Sequence, residues 1–278
     1  MQGSSAPRQH LGPSPWRILT VVISVLVYAF LLLPIIVVLP LGFSSGSFLT
    51  YPMPGLSLRW YEELAHNYKW LLALKNSAIV GVCAAALSCV LGVSAALALI
   101  SLPPKARALA YGLFIAPLVV PVIILAVALF LFFSKLGLTG SLAGMVLAHT
   151  IVGAPYVMIS VNAALQNFDP TLVRAAKSLG ASPWGAQRRV VFPIIKPAIV
   201  AGALFAFVVS FDEVVILLFL ASPEQVTLPI RLFDGIRDEL TPVVISAATI
   251  MLFVSVGGMV CVEALRRRSA RARGLQES

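Results

Sequence analysis

Charge is missing from this chain over long stretches, and that absence constrains its fold more than any other feature. No Asp, Glu, Lys or Arg occurs between Arg17 and Arg59, Lys75 and Lys105, Arg107 and Lys135, Lys135 and Asp169, or Glu239 and Glu263. Each run exceeds the roughly twenty apolar residues with which a helix crosses a bilayer core of about 30 Å. A closed barrel is the other way to span lipid, but the alternation of its roughly ten-residue strands is absent here. Hydrophobic residues make up 59% of the 278 positions and charged residues only 11%. A soluble domain would carry roughly a quarter charged residues, so the chain reads as an all-α polytopic membrane protein.

Six spans are expected, at about 18–41, 76–100, 108–133, 141–165, 198–221 and 243–264. They make residues 18–265 one transmembrane domain, flanked by an N-terminal segment at 1–17 and a basic tail at 266–278. The first run follows Arg8 and Arg17, as a secretory signal would. It is too long for a signal h-region and lacks a small-residue cleavage site, so it reads as an uncleaved anchor. Lys and Arg set the orientation. They collect in the N-terminus, at Lys105 and Arg107, at Arg174, Lys177, Arg188, Arg189 and Lys196, and in the tail at Arg266, Arg267, Arg268, Arg271 and Arg273. Both termini and the 166–197 loop are therefore expected in the cytoplasm. Topology explains the net charge of +9, and nucleic acid need not be invoked.

Metal and disulfide chemistry find little support. Cys83, Cys89 and Cys261 all fall within expected spans, at spacings that fit no zinc pattern. His10, His66 and His149 are scattered, and the intramembrane His149 reads as a buried structural hydrogen-bond partner. Small residues recur along the second span at Gly81, Ala85, Ser88, Gly92 and Ala96. They allow close helix approach, within the subunit or across a dimer.

The basic stretch from Asp169 to Pro197 carries its own helix punctuation. Asp169-Pro170 is a start signal, because Asp accepts from free N–H groups and proline loses no donor at the first helical position. Leu172, Ala175, Ala176 and Leu179 recur at helical spacing, with Arg174, Lys177 and Ser178 beside or opposite them. Gly180 suits a left-handed helix end. Ser182-Pro183 repeats the start signal, and a second short helix is expected to run to about Phe192, where Pro193 and Pro197 stop it. Such a hairpin could lie on anionic headgroups or dock a cytoplasmic partner.

The string resembles the "EAA" signature of binding-protein-dependent ABC importer permeases: EAA, three residues, G, nine residues, then I-x-L-P. Here Arg174-Ala175-Ala176 precedes Gly180 by three residues, and nine more lead to Val190-Val191-Phe192-Pro193. The spacing is kept throughout, while Arg174, Val190 and Phe192 stand in place of the signature's Glu, Ile and Leu. The resemblance implies the six-helix type I permease fold, with 166–197 as the coupling loop. In that loop Asp169, Arg174, Ala175, Ala176, Gly180 and Pro193 would engage the ATPase. It implies cytoplasmic ATP-binding subunits, a second permease subunit and a periplasmic or lipid-anchored solute-binding protein as partners, in a bacterial inner membrane. The chain has no G-x-x-x-x-G-K-[ST] phosphate loop, so ATP chemistry is expected in a partner. No catalytic residue, metal or cofactor is expected.

The fifth span contains Ser210-Phe211-Asp212-Glu213. Carboxylates in hydrocarbon are costly, so they should face the protein interior or a watery path. Adjacent helical residues point about 100° apart, so one acid can line a pathway while the other pairs with Arg231, Arg237 or a partner. A purely structural packing pair is the alternative. The segment is similar to the spermidine/putrescine permease branch, with Thr227-Leu228-Pro229-Ile230 following it. This resemblance implies a polyamine (spermidine or putrescine) or similar small cationic cargo, with Ser210, Asp212 and Glu213 in its pathway. Import of another small solute and an ion-coupled secondary transporter using Asp212 and Glu213 are the alternatives. Trp60, Tyr61, Tyr68 and Trp70 read as interfacial anchors, and Pro229–Leu240 as a short surface helix.

Overall fold

The structure is a computed structural model and describes residues 15–238 and 241–272. Among the described residues five helices are long and apolar enough to cross a membrane, and a pair bent by 101° passes the same test only when taken together. They are α1 (Pro15–Val38), α3 (Tyr68–Ser101), the pair α4 (Pro104–Val119) and α5 (Val122–Lys135), α6 (Leu142–Gln166), α9 (Phe192–Asp212) and α12 (Pro242–Ala272). Shorter helices lie between them: α2 (Arg59–His66), α7 (Thr171–Ser178), α8 (Pro183–Ala186), α10 (Val215–Leu220) and α11 (Leu228–Asp238). The described residues contain no strand, only an isolated bridge between Ser44 and Leu56.

Local sequence explains where the spans begin. The Asn67 side chain accepts the Lys69 N–H at 3.0 Å, and Ser141 Oγ accepts the Gly144 N–H at 3.0 Å, so α3 and α6 each start on a side-chain cap. The second span therefore begins at Tyr68, two turns before the expected 76. Lys69 and Lys75 ride on the helix, and the uncharged run marked only its apolar part.

α3, α6 and α9 form the centre of the bundle, with α12 against α9. The small-residue stripe is used inside the subunit. A Cβ on Gly92 would lie 2.7 Å from the Ala154 carbonyl oxygen and 2.7 Å from Val157 Cβ, so α3 and α6 can approach this closely only with glycine there. Around that crossing Ala96, Leu99, Val157, Val161 and Ile195 are buried. α1 is the exception, with none of its span buried against the rest of the subunit.

Two expected spans are not single helices. The third bends by 101° between Val119 and Val122. Pro121 lacks the N–H that would bond back into α4, and Val120 before it is extended (φ −69°, ψ 132°). The fifth ends at Asp212, where Glu213 is extended (φ −74°, ψ 120°), and resumes as α10. The second pieces of the two broken spans, α5 and α10, pack together through Ala126, Leu129, Phe133, Ile216 and Leu220.

Trp60 and Trp70 are held by protein, whereas Tyr68 at the start of α3 is exposed. The Trp60 indole N–H donates to the Ser44 carbonyl at 2.8 Å. Trp70 is buried with Leu228 and Leu232 of α11, and the Arg231 guanidinium lies 5.7 Å from its ring centre. The loop before α11 is also clamped to α3. Asn76 Nδ2 donates to the Val226 carbonyl at 3.0 Å, and the Leu228 N–H donates to Ser77 Oγ at 2.8 Å.

Candidate functional site

The 166–197 loop folds as a short helix, α7, joined at a glycine to the start of a second helix at Pro183. Asp169 caps the first: Oδ1 accepts the Thr171 N–H at 2.8 Å and Oδ2 accepts the Thr171 hydroxyl at 2.6 Å. These two donors hold the Asp169 carboxyl below the usual carboxylate range. Gly180 ends the helix at φ +87°, with its N–H on the Lys177 carbonyl and the Ala181 N–H on the Ala176 carbonyl, both at 3.0 Å. This is a left-handed cap of the Schellman type, which favours residues without a Cβ. Ser182 Oγ then accepts the Gly185 N–H at 3.0 Å and starts α8.

Pro193 does not stop the second helix, as the sequence reading expected. A π-helical turn at Gln187–Val191 joins α8 to α9, with the Phe192 N–H bonding back to the Gln187 carbonyl. The widened turn ends where Pro193 enters, so the missing proline donor falls at the first turn of α9 and the chain continues through Pro197. Pro183–Asp212 is consequently one continuous helical stretch of 30 residues.

The loop has an inner and an outer face. Phe168, Val173 and Phe192 pack on the α3–α6–α9 core beside Val191 and Ile195. On the outer face Leu172 is 45% exposed, Leu179 89% and Trp184 67%. Arg174, Ala175, Lys177, Arg188 and Arg189 are exposed, whereas Ala176 turns partly inward. Arg174 forms no ion pair among the described residues. Among the described residues Leu172 and Leu179 belong to none of the hydrophobic clusters.

The three polar residues at the end of α9 point to different neighbours. Ser210 is buried, and its Oγ lies 2.6 Å from Nδ1 of the buried His149 on α6. Asp212 is exposed on the subunit surface, and its Oδ1 accepts the Ser255 hydroxyl of α12 at 2.7 Å. Glu213 is partly buried, and Oε1 accepts the Ile216 N–H at 3.1 Å, capping α10. Neither carboxylate pairs with Arg231 or Arg237 among the described residues. The expected 100° divergence does not apply, because the helix ends between the two acids. The His149–Ser210 bond had a weak sequence signal, an isolated polar residue in each of two spans. Ser255 as the partner of Asp212 had none.

Residues 88–271 match the family described as "Binding-protein-dependent transport system inner membrane component". The chain is 31% identical over 243 residues to the spermidine/putrescine transport system permease protein PotC of Haemophilus influenzae, covering 87% of this chain and 94% of that one. It is 32% identical over 246 residues to the putrescine transport system permease protein PotI of Escherichia coli, covering 86% of each. Among solved structures it is similar to a bacterial ABC transporter involved in alginate import, with TM-score 0.68 and 16% identity over 92% of this chain and 96% of that one. It is also similar to an amino acid ABC transporter, with TM-score 0.54 and 19% identity over 75% and 95%. With its expected coupling spacing seated on a matching fold, the chain belongs to the inner membrane permease family of binding-protein-dependent ABC importers.

Proposed function

We propose that this permease forms one half of the membrane pathway of an ATP-driven importer of polyamines or similar small organic cations. The observation that carries the coupling role is the outer face of the 166–197 loop. Leu172, Leu179 and Trp184 stand exposed among basic residues, on a loop whose inner face is packed into the core. Exposed large apolar side chains on a rigid, polar element mark a docking surface. Its partner is a cytoplasmic ATP-binding subunit, which agrees with the basic charge of the loop and both termini. ATPase closure would push α7 and tilt the continuous stretch from Pro183 to Asp212. A second permease completes the pathway, and a periplasmic or lipid-anchored solute-binding protein delivers the cargo.

The cargo reading draws on the two polyamine permeases named above and on the exposed carboxylate of Asp212. A carboxylate beside an apolar passage lowers the barrier for an ammonium group and raises it for an anion. Glu213 serves the pathway indirectly by capping α10, and Ser210 by holding α9 to α6.

Reconstituted uptake tests both levels. Proteoliposomes holding the permease pair and ATPase should accumulate labelled spermidine or putrescine only with ATP inside and the binding protein outside. Uptake by this chain alone, without ATP, overturns the importer reading. ATP-driven uptake of a different solute, with none of a polyamine, overturns the cargo alone.

A further inference from the structure

A second polar constellation lies at the end of the bundle that carries the coupling loop. A groove of about 450 Å³ separates α4 from the ends of α3 and α6. Exposed Ile100 and Ala108 form its apolar wall over the buried Leu99 and Leu165, and Arg107, Tyr111, Asn162 and Gln166 converge from two helices.

Arg107 is held rigidly. Its Nε donates to the Leu99 carbonyl at 2.8 Å, and one terminal nitrogen donates to the carbonyls of Ile100 at 2.9 Å and Leu102 at 3.1 Å. These bonds tie off the carbonyl end of α3 but leave the guanidinium charge without an acid among the described residues. The second terminal nitrogen keeps both its donors. Tyr111, Asn162 and Gln166 have no side-chain hydrogen bond among the described residues, although Tyr111 and Asn162 are partly buried. Lys105, two residues earlier on α4, is exposed but does not line the groove.

We propose that this groove binds the headgroup of an anionic phospholipid from the leaflet on the coupling-loop side. The cytoplasmic identity of that leaflet rests on the orientation read above. Arg107 faces the phosphate, the Tyr111, Asn162 and Gln166 side chains reach its glycerol and ester oxygens, and the exposed Ile100 and Ala108 receive the first acyl carbons. Basic grooves between helices at headgroup depth recognise anionic lipid in this way. A cationic cargo is repelled by Arg107, so the groove is no branch of a polyamine path. A free phosphate would leave the apolar wall wet, which favours a lipid over a soluble anion. Gln166 is the last residue of α6, directly before the coupling loop. A bound lipid therefore braces α4 against α6 beside that loop.

The test reads lipid retention on the purified transporter from mixed phosphatidylglycerol and phosphatidylethanolamine, by native mass spectrometry without ATP or cargo. Arg107→Gln should lower retained phosphatidylglycerol about fivefold, the scale of one basic residue at an anionic surface. Asn162→Leu with Gln166→Leu should lower it about threefold, with Arg107 and its α3 contacts left in place. Arg107→Lys should restore most of the loss. Retained phosphatidylethanolamine should not change. If Arg107→Gln fails to assemble, the double amide variant decides. Unchanged phosphatidylglycerol in that variant, equal loss of the neutral lipid, or displacement of the lipid by millimolar inorganic phosphate overturns the proposal. Because no transport is measured, a failure of the coupling or cargo reading leaves this outcome untouched.

Discussion

Ser210 and Asp212 are two positions apart, yet one faces His149 in the interior and the other faces Ser255 at the subunit surface. Substitution should separate these roles. Asp212→Asn keeps the size and can still accept from Ser255, so assembly should survive while uptake of a divalent or trivalent amine falls about tenfold. Unchanged uptake kinetics in proteoliposomes would favour a packing role. Ser210→Ala should cost about 1–3 kcal/mol by leaving a buried imidazole nitrogen unpaired, with uptake per folded transporter close to wild type. Thermal unfolding in detergent reads that loss. Asp169 offers a pH test outside the membrane. Its carboxyl is held low in the folded loop by the Thr171 donors, so the cap is fully present above the ordinary carboxylate value. It is lost only as pH falls through the lowered folded value. Amide exchange at Thr171 should therefore stay protected on mild acidification and open on stronger acidification, whereas Asp169→Asn should show no such step.

At the scale of elements, glycine positions make the sharpest predictions. Gly180→Pro places a ring at φ +87° and removes the N–H that bonds Lys177, so the loop cap cannot form. The subunit should still insert, but ATP hydrolysis should no longer drive uptake; wild-type coupling in this variant would contradict the loop's role. Gly92→Val should destabilise the subunit by roughly 2–4 kcal/mol, because the added atoms overlap Ala154 and Val157. Much of this layer was readable in advance. Asp169, Gly180 and Ser182 announce the loop helices because caps depend on a few adjacent residues. The π turn at Gln187–Val191 and the break after Asp212 were not readable. Neither depends on local composition alone: a proline can stop a helix or open one, and Glu213-Val214 contains no breaker at all. The start of α3 was misplaced for another reason. Uncharged length marks only the apolar part of a helix, and Tyr68 to Lys75, with two lysines, precede that part on the same helix.

At the scale of the molecule, the all-helical layout of long apolar runs was legible because each run needs lipid or protein to cover it, but its internal partners were not. α1 shows this most plainly: its apolar surface is as evident in the sequence as that of α6, yet none of it is buried in the subunit. Arg174 is the residue through which the assembly can be tested. It stands where the family signature has an acid and has no ion-pair partner among the described residues. Arg174→Glu should weaken association with the ATPase about fivefold at low salt, with the difference shrinking as salt rises. Tighter binding in a pull-down titration would mean that the partner groove is basic.

The unbroken stretch from Pro183 to Asp212 has a mechanical consequence. At 1.5 Å per residue it is a rod about 45 Å long, so a tilt of about 5° at its base would carry its tip about 4 Å sideways. That is a larger displacement than the width of an ammonium group, delivered to the carboxylate at its end. A helix interrupted at Pro193 would have absorbed the same push in its joint. By passing that proline through a widened turn, the chain gains leverage.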